Sequence, residues 1–120
     1  MNKYKNKKVQ IDMYVFDSIA ESRRYKELAL LERAKKISNL ELQPRFLLQP
    51  SFKKNGKTFR KIEYVADFKY EENGQVIVED VKGMETKEFQ LKRKLFEYKY
   101  PDLEIKIIKW GTYGRRIKNY

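Results

Sequence analysis

The dipeptide Asn73-Gly74, placed between two segments with strand character, constrains the fold more than any other feature. Residues Thr58 to Tyr70 alternate between apolar and polar side chains, and Val76 to Val81 provides a returning strand. Asn-Gly supplies the two positive-φ residues that a tight hairpin turn requires. A two-residue turn and a four-residue loop both pair Asp67 with Asp80, and only a three-residue loop would break that pairing.

This register brings two acids and one lysine to the same face of the hairpin. Side chains alternate along a strand, so Asp67, Asp80 and Lys82 share a face. Two carboxylates directly opposite each other repel and destabilise a sheet. A raised pKa, the ammonium group of Lys82 or a bound divalent cation would each offset that repulsion. A Mg²⁺ ion held by both acids would complete its shell with waters, a phosphate oxygen and the Val81 carbonyl.

The chain contains no Cys and no His, which excludes several kinds of chemistry. Disulfides, zinc fingers and Cys or His nucleophiles are ruled out. A bound metal would be a hard cation in an oxygen cage, Mg²⁺ or Mn²⁺. Such an ion suits phosphodiester hydrolysis, in which Lys82 would orient the attacking water or stabilise the developing charge. The alternative is a salt-bridged surface hairpin without catalysis.

A helix N-terminus is predicted at Asp17 or Ser18. Glu21 completes the pattern Ser-x-x-Glu, and the apolar spacing that follows predicts a helix to about Lys36. Glu21 has two competing interpretations. Its carboxylate would cap the Ser18 N–H, or it would face inward toward a metal or a metal-bound water.

The remaining segments predict short strands and a second helix. Apolar stretches at Leu40–Leu42 and Phe46–Leu48 are interrupted by Pro44, which favours an edge or a bulge. Thr86 is expected to cap a second helix that runs to Tyr100 and presents Phe89, Leu91, Leu95, Phe96 and Tyr98 as its apolar residues. Leu103 to Trp110 is the last predicted strand, parallel to the strand before it.

The charge of the chain is unevenly distributed. Of the net +11, residues 1–60 carry 15 Lys or Arg against 6 Asp or Glu, whereas residues 63–88 carry eight acids against three bases. Basic flanks suit a polyanion, although a solvated basic surface explains the same charge. The candidate DNA-contacting residues are Lys53, Lys54, Lys57, Lys92, Arg93, Lys94, Arg115 and Arg116.

Three further segments complete the predictions from the sequence. Residues 1–10 are predicted to be a flexible basic arm, with a short strand at Val9 to Phe16. Lys53, Lys54 and Lys57 lie in a predicted polar loop, Ser51 to Lys57, with a turn at Asn55-Gly56. This loop would either contact phosphate or be solvated. Trp110 and Tyr113 would stack on nucleic acid, although Trp110 suits a core equally well.

Motifs around the hairpin resemble two protein groups. Tyr64-Val-Ala-Asp67-Phe68, followed by Val78-Glu-Asp80-Val-Lys82-Gly83, resembles the PD-(D/E)xK nuclease superfamily. More closely, Phe16-Asp-Ser-x-Ala-Glu21, Leu42-Gln-Pro44 and Glu79-Asp-Val-Lys-Gly83 resemble a phage and prophage family of unknown function (DUF1064-like) assigned to that nuclease fold. The resemblance covers nearly the whole chain.

The length of the chain favours a single domain, formed by residues 11–120. The resemblance implies an α/β fold, a restriction-endonuclease-like αβββαβ core with a mixed sheet flanked by helices. It also implies Mg²⁺-dependent DNA cleavage with a helical acid near the metal, for which Glu21 is the matching position. Ala66 stands where the superfamily's name has Pro, which matters little because Pro is not a ligand. Glu79 is expected on the face opposite Asp80.

The expected function is therefore a metal-dependent endodeoxyribonuclease. By analogy, the substrate extends to branched DNA such as a Holliday junction in phage recombination or replication. A non-catalytic basic DNA-binding module on a nuclease fold and an RNA nuclease are the alternatives. No apolar run is long enough for a membrane helix or a signal peptide, so we expect a cytoplasmic protein. The family resemblance implies a bacterial host cell and a phage or prophage origin. A two-fold junction would suit a homodimer, but no dimerisation pattern supports one.

Overall fold

A computed structural model describes residues 8–11, 14–16, 18–82, 84–110 and 116–119. The helices are α1 (Ile19–Arg33) and α2 (Lys87–Lys99). The strands are β1 (Val9–Ile11), β2 (Tyr14–Phe16), β3 (Ser38–Leu42), β4 (Arg45–Gln49), β5 (Phe52–Lys54), β6 (Lys57–Phe59), β7 (Ile62–Val65), β8 (Phe68–Glu72), β9 (Gln75–Lys82), β10 (Ile105–Trp110) and β11 (Arg116–Asn119). Of the predicted arm, residues 1–7 lie outside the described residues, and Val9 and Gln10 belong to β1. Within the described chain, neither helix has the length and apolarity needed to cross a membrane.

A mixed five-stranded sheet forms the centre of the fold, in the order β11-β10-β9-β8-β3. β3, β8 and β9 are antiparallel neighbours, and α2 then connects β9 to the parallel strand β10. The predicted α/β class, the αβββαβ element order and the parallel last crossover are confirmed. β11, which pairs antiparallel with β10, was not predicted.

The predicted hairpin register is confirmed from the turn to Phe68 and Glu79, but the predicted ladder pair of Asp67 with Asp80 does not form, because the strand is broken at Asp67. Asn73 and Gly74 have φ values of 51° and 77°, the left-handed pair that a two-residue turn requires. β8 and β9 pair from Glu72 and Gln75 at the turn to Phe68 and Glu79 at the far end. Asp67 lies one residue beyond the last pair of the β8–β9 ladder, at the end of the hairpin that is farther from the turn.

The prediction of one strand from Thr58 to Tyr70 is wrong, because the segment divides into β6, β7 and β8. β7 pairs with β4, whereas β8 pairs with β3 and β9. Tyr64 and Phe68, predicted on the same side, therefore pack into different clusters. Both faces of the sheet are covered, so apolar alternation cannot show where a strand changes partners.

For the predicted polar loop at Ser51 to Lys57, the turn at Asn55-Gly56 is confirmed, but the assignment of the flanking residues to a loop is wrong. β5 and β6 form an antiparallel hairpin there, with a turn at Asn55 and Gly56. Their φ values of 53° and 73° repeat the geometry of the other Asn-Gly turn. The stretch contains too few apolar residues to be recognised as strands from its sequence.

The helix caps follow the prediction more closely than the helix faces do. The Ser18 hydroxyl accepts the Glu21 N–H at 3.1 Å, and the Thr86 hydroxyl accepts the Phe89 N–H at 3.1 Å. α1 ends at Arg33 rather than Lys36, and Lys35 has a positive φ of 62°. On α2 only Phe89 and Phe96 are buried, and the other predicted apolar positions, Leu91, Leu95 and Tyr98, are exposed.

Two hydrophobic clusters lie on the two faces of the sheet. The cluster beneath α2 contains Phe46, Tyr64, Ala66, Val78, Phe89, Phe96, Ile105 and Ile107. The cluster beneath α1 contains Tyr25, Leu28, Ile37, Phe68 and Tyr70. β9 contributes alternate residues to both, so successive positions on this strand face different halves of the core.

A buried ion pair joins α1 to β9. The Arg24 guanidinium donates Nε to Glu79 Oε1 at 2.8 Å and Nη2 to Oε2 at 2.7 Å, and the Tyr70 hydroxyl also donates to Oε2. The Glu79 side chain is fully buried, and Arg24 also contacts Glu27 at 3.1 Å. A charge in such a place needs its partners, because desolvation is otherwise uncompensated. The expected position of Glu79, on the face opposite Asp80, is confirmed.

Removing one member of this pair should destabilise the protein strongly. We expect Glu79→Ala to lower the free energy of unfolding by about 3 to 5 kcal/mol, because Arg24 would remain buried without a counter-charge. Replacing both residues with apolar side chains, Arg24→Met with Glu79→Leu, should recover much of the loss. Urea unfolding measures both effects.

The matched control is the surface pair of Glu41 and Lys69, whose charged atoms lie 3.8 Å apart. Glu41→Ala should cost less than about 1 kcal/mol, as exposed ion pairs do. An equal cost for Glu79→Ala and Glu41→Ala would contradict the structural role of the buried pair.

Candidate metal and catalytic site

Three backbone hydrogen bonds fix Asp67 where β7 ends and β8 begins. The Gln43 N–H donates to the Asp67 carbonyl at 2.9 Å, and the Ala66 N–H donates to the Pro44 carbonyl at 3.1 Å. The Asp67 N–H donates to the Glu79 carbonyl at 3.1 Å. The strand break is thus tied both to the β3–β4 turn and to β9. Gln43 has a φ of 52°, an uncommon conformation for a residue with a β-carbon.

The carboxylate of Asp67 continues the hydrogen bonding of β9 where the neighbouring strand has ended. Its Oδ2 accepts the Val81 N–H at 2.7 Å. The N–H and C=O of one strand residue point to the same side, so the Val81 carbonyl also faces Asp67. The carbonyl predicted as a ligand is therefore directed toward the acid with which it would share a metal.

Asp80 lies on β9, near the end of the strand that is farther from the hairpin turn. Its side chain is only 2% exposed. The Tyr64 hydroxyl donates to Oδ2, and the Lys82 ammonium lies 3.3 Å from Oδ1. Burial, followed by the charge of Asp80, raises the pKa of Tyr64, which therefore remains a hydrogen-bond donor. Asp80 and Lys82 share a face, as predicted.

Glu21 occupies the third position of α1 and is buried. The Ser18 side chain supplies one half of the predicted capping box, by accepting the Glu21 N–H. The Glu21 carboxylate lies close enough to Asp67 for its charge to raise the pKa of that acid. The helix thus brings a third acid toward the pair on the sheet.

The electrostatic state of Asp67 reflects this crowding of acids. Its pKa is raised well above the usual value, first by burial, then by the charge of Asp80 and then by that of Glu21. The bond from the Val81 N–H opposes the shift without cancelling it. The site therefore favours positive charge at Asp67, whether a proton or a cation.

Lys82 is held among groups that the sequence did not identify as part of the site. Its ammonium lies 4.5 Å from the centre of the Phe89 ring, a cation–π distance. Lys109 pairs with Lys82 across the parallel strands. Glu85 contacts Lys109 at 2.6 Å and Arg93 at 3.9 Å, and the hydrogen bond from Lys109 lowers the pKa of Glu85.

These neighbours, with Tyr64, were missed by sequence reasoning for different reasons. Tyr64 lies three residues before Asp67 in a recognised motif, and the alternation pattern assigned it only to the core. The contact of Lys109 with the site depends on the β9–β10 register, which no local signal in the sequence specifies.

The donor atoms at this site fit a hard divalent cation. Within the described part of the chain, no group of three or more acidic side chains is arranged to hold a metal ion. Asp67 and Asp80 would supply two carboxylates, the number that Mg²⁺ commonly takes from protein, with water and the Val81 carbonyl as further oxygens. Glu21 would act on a metal-bound water rather than on the ion itself.

The candidate DNA-contacting residues occupy different surfaces. Lys53, Lys54 and Lys57 are exposed on the β5–β6 hairpin. On α2, Lys94 is exposed, whereas Lys92 and Arg93 are half-buried and paired with Glu88 and Glu85. Arg115 and Tyr113 lie outside the described residues. Trp110 and Arg116 belong to β10 and β11, and their side chains are not described.

Replacing Asp67 with Asn should show how the negative charge of Asp67 lowers the free energy of unfolding as the pH changes. With EDTA present, Asp67→Asn should come closest to the wild type well below pH 4, where the acid is protonated in both the folded and the unfolded state. A raised native pKa means that wild-type stability falls as pH rises through it, so the variant should become progressively more stable than the wild type toward pH 8. Urea unfolding at several pH values measures this difference, with Asp102→Asn in an exposed turn as the control. A constant difference across pH would contradict the raised pKa.

Comparison with known proteins identifies a family without a described activity. A search of curated proteins and a search of solved structures each found no match. A family model with the description protein of unknown function (DUF1064) matches residues 1–115 of the chain. Because the match spans nearly all of the 120 residues, the chain belongs to the DUF1064 family.

Proposed function

We propose that this protein is a Mg²⁺-dependent DNA endonuclease with Asp67, Asp80 and Lys82 at its active site. The observation that carries the proposal is that Asp67 and Asp80 lie close together at the end of the β8–β9 hairpin, with a lysine 3.3 Å from one of them. The raised pKa of Asp67 supports it, because a site that destabilises its own negative charge favours a bound cation. The resemblance of the motifs around these same residues to the PD-(D/E)xK superfamily also supports it.

Each residue of the proposed site would have a different role in the reaction. Tyr64 and Lys82 each bond one oxygen of Asp80 and so orient its carboxylate. The Val81 N–H holds one oxygen of Asp67 in the same way. Lys82 is then placed to orient a water or to stabilise the negative charge that develops on the phosphate. Glu21 would accept a proton from that water.

A bound Mg²⁺ would neutralise the two acids, polarise the phosphate and lower the pKa of a coordinated water. No His or Cys is required for this chemistry, which suits a chain that has neither. Two acids placed against a phosphate backbone would only weaken a pure DNA-binding module. The arrangement therefore favours catalysis over binding alone.

The distribution of charge supports a nucleic-acid substrate. The chain carries a net charge of +11 although its central segment is acidic. Lys53, Lys54 and Lys57 are exposed, and Lys94 lies on α2, the helix that also carries Phe89 beside Lys82. Lysines that neutralise phosphates release counterions and give affinity without sequence preference.

The proposed activity is tested by incubation with supercoiled and linear DNA, and with RNA of matched length. We expect nicking of DNA in Mg²⁺ or Mn²⁺, abolished by EDTA. Asp80→Asn and Lys82→Met should each lower the rate by about 100-fold or more, since each removes a group that acts on the transition state. Glu41→Gln, on the surface, is the matched control and should cut as the wild type does.

Two results would overturn the proposal. One is a wild-type protein that binds DNA and never cuts it with either metal. The other is cleavage that persists unchanged in Asp80→Asn. Preferential cleavage of RNA would reassign the substrate while leaving the site in place.

A further inference from the structure

Two phenylalanines stack on the surface of the β5–β6 hairpin. The rings of Phe52 and Phe59 are 4.8 Å apart at their centres and tilted by only 9°. Both residues are substantially exposed, at 44% and 37%. Cross-strand aromatic pairs stabilise hairpins, and two exposed rings side by side also form a contiguous apolar patch of the kind that marks binding sites.

The two faces of the hairpin differ in chemistry. Phe52 pairs with Phe59, and Lys54 pairs with Lys57, which alternation places on the same face. The Lys57 ammonium lies 5.1 Å from the centre of the Phe59 ring. Lys53 lies on the other face. One face therefore presents flat aromatic surface immediately beside two cations.

The charge around these rings has one sign. Residues 51–62 contain five Lys or Arg and no Asp or Glu. Such a segment attracts a polyanion and repels a second copy of itself. The ligand expected here is therefore a nucleic acid rather than another molecule of this chain.

The chemistry of the rings distinguishes between two ways of binding nucleic acid. A two-stranded ribbon fits the major groove of a duplex, but reading base edges there requires hydrogen-bonding side chains such as Arg, Asn or Gln. Phe52 and Phe59 offer none. Aromatic faces flanked by cations instead suit unpaired bases, which stack on the ring while their phosphates meet the lysines.

We propose that this hairpin binds unpaired bases, so that the substrate class of the protein is DNA with a single-stranded or branched segment. The inference rests on the proposed nuclease function for what happens after binding. The binding step itself depends only on the hairpin.

The hairpin and the β4–β7 ladder keep the same register, although residues 50–51 and 60–61 between them belong to no strand. β4 and β7 pair from Arg45 and Val65 outward, with one irregularity between Leu47 and Gln49. The offset that follows is the one that β5 and β6 keep to the turn. The two ladders thus form one ribbon whose base is the strand break at Asp67.

The length of this ribbon limits how far the cut can lie from the unpaired bases. Eight residues separate Phe59 from Asp67. At about 3.3 Å per strand residue, the separation is at most about 26 Å. At about 3.4 Å per base pair, this corresponds to cleavage within about eight nucleotides of the bound bases.

Binding is tested with EDTA present, on forked DNA carrying 2-aminopurine in its unpaired arm and on a duplex of equal length. We expect tighter binding to the fork, with quenching of the 2-aminopurine fluorescence by stacking. Phe52→Ile with Phe59→Ile keeps β-propensity and removes the aromatic faces. This double variant should lose about tenfold or more in affinity for the fork and little for the duplex.

Three controls accompany this variant. Phe52→Tyr with Phe59→Tyr retains the rings and should bind and quench as the wild type does. Tyr98→Ala removes an exposed aromatic residue on α2 and should have no effect. Circular dichroism and urea unfolding should show that substitutions at these exposed positions leave the fold intact.

The outcomes separate this inference from the proposed nuclease function. Wild-type affinity and quenching in the isoleucine variant would overturn the hairpin's role, and so would an equal loss for fork and duplex, which would indicate a groove contact. A wild type that binds and quenches the fork but cuts nothing in Mg²⁺ would overturn the nuclease proposal and leave the binding site standing. Cleavage mapped farther than about eight nucleotides from the unpaired arm would also count against the hairpin.

Discussion

The arrangement of the molecule depends on the buried bidentate pair between Arg24 and Glu79. It connects α1 to β9, the strand that carries Asp80, and its geometry leaves little freedom for the helix to slide or rotate. Glu21 lies three residues before Arg24 and hence on nearly the same helix face. The pair therefore also fixes the third acid relative to the two on the sheet. Its contribution is to geometry more than to net stability, since burying both charges is itself costly.

Glu79 and Asp80 are adjacent acids on β9, one with a structural role and the other with a proposed catalytic role. Glu79 faces α1, where Arg24 and Tyr70 satisfy its carboxylate completely enough for full burial. Asp80 faces α2, where Tyr64 and Lys82 each bond one oxygen and Asp67 adds a like charge. The first acid is neutralised within the protein by its own arginine, whereas the second shares the single positive charge of Lys82 with the neighbouring Asp67. This difference in compensation, rather than burial, distinguishes the structural acid from the proposed catalytic one.

Local signals in the sequence predicted what local interactions determine. The Asn73-Gly74 turn specified the β8–β9 register, and Ser18 and Thr86 specified where both helices begin. The break before β8 was missed because it depends on backbone bonds to Gln43 and Pro44, which lie more than twenty residues earlier. The Arg24–Glu79 pair, separated by 55 residues, likewise leaves no local trace. The shared face of Asp80 and Lys82 was predictable, whereas the bond from Tyr64 to Asp80 and the effect of the Lys82 charge on Glu85 required the tertiary structure.

The strand break is as important to the proposed site as the hairpin register is. Had β7 continued into β8 as one strand, Asp67 would face Asp80 as an ordinary ladder neighbour, and its carboxylate could not take the place of a backbone acceptor for Val81. The break also sends β7 away from the central sheet to pair with β4, and the ribbon that results extends to the exposed rings of Phe52 and Phe59. One local departure from regular pairing thus places an acid beside β9 and directs a basic, aromatic arm outward from the same point. The proposed cutting and base-binding sites are therefore linked by covalent geometry, so a change in the length of the ribbon would alter the distance between them without altering either site.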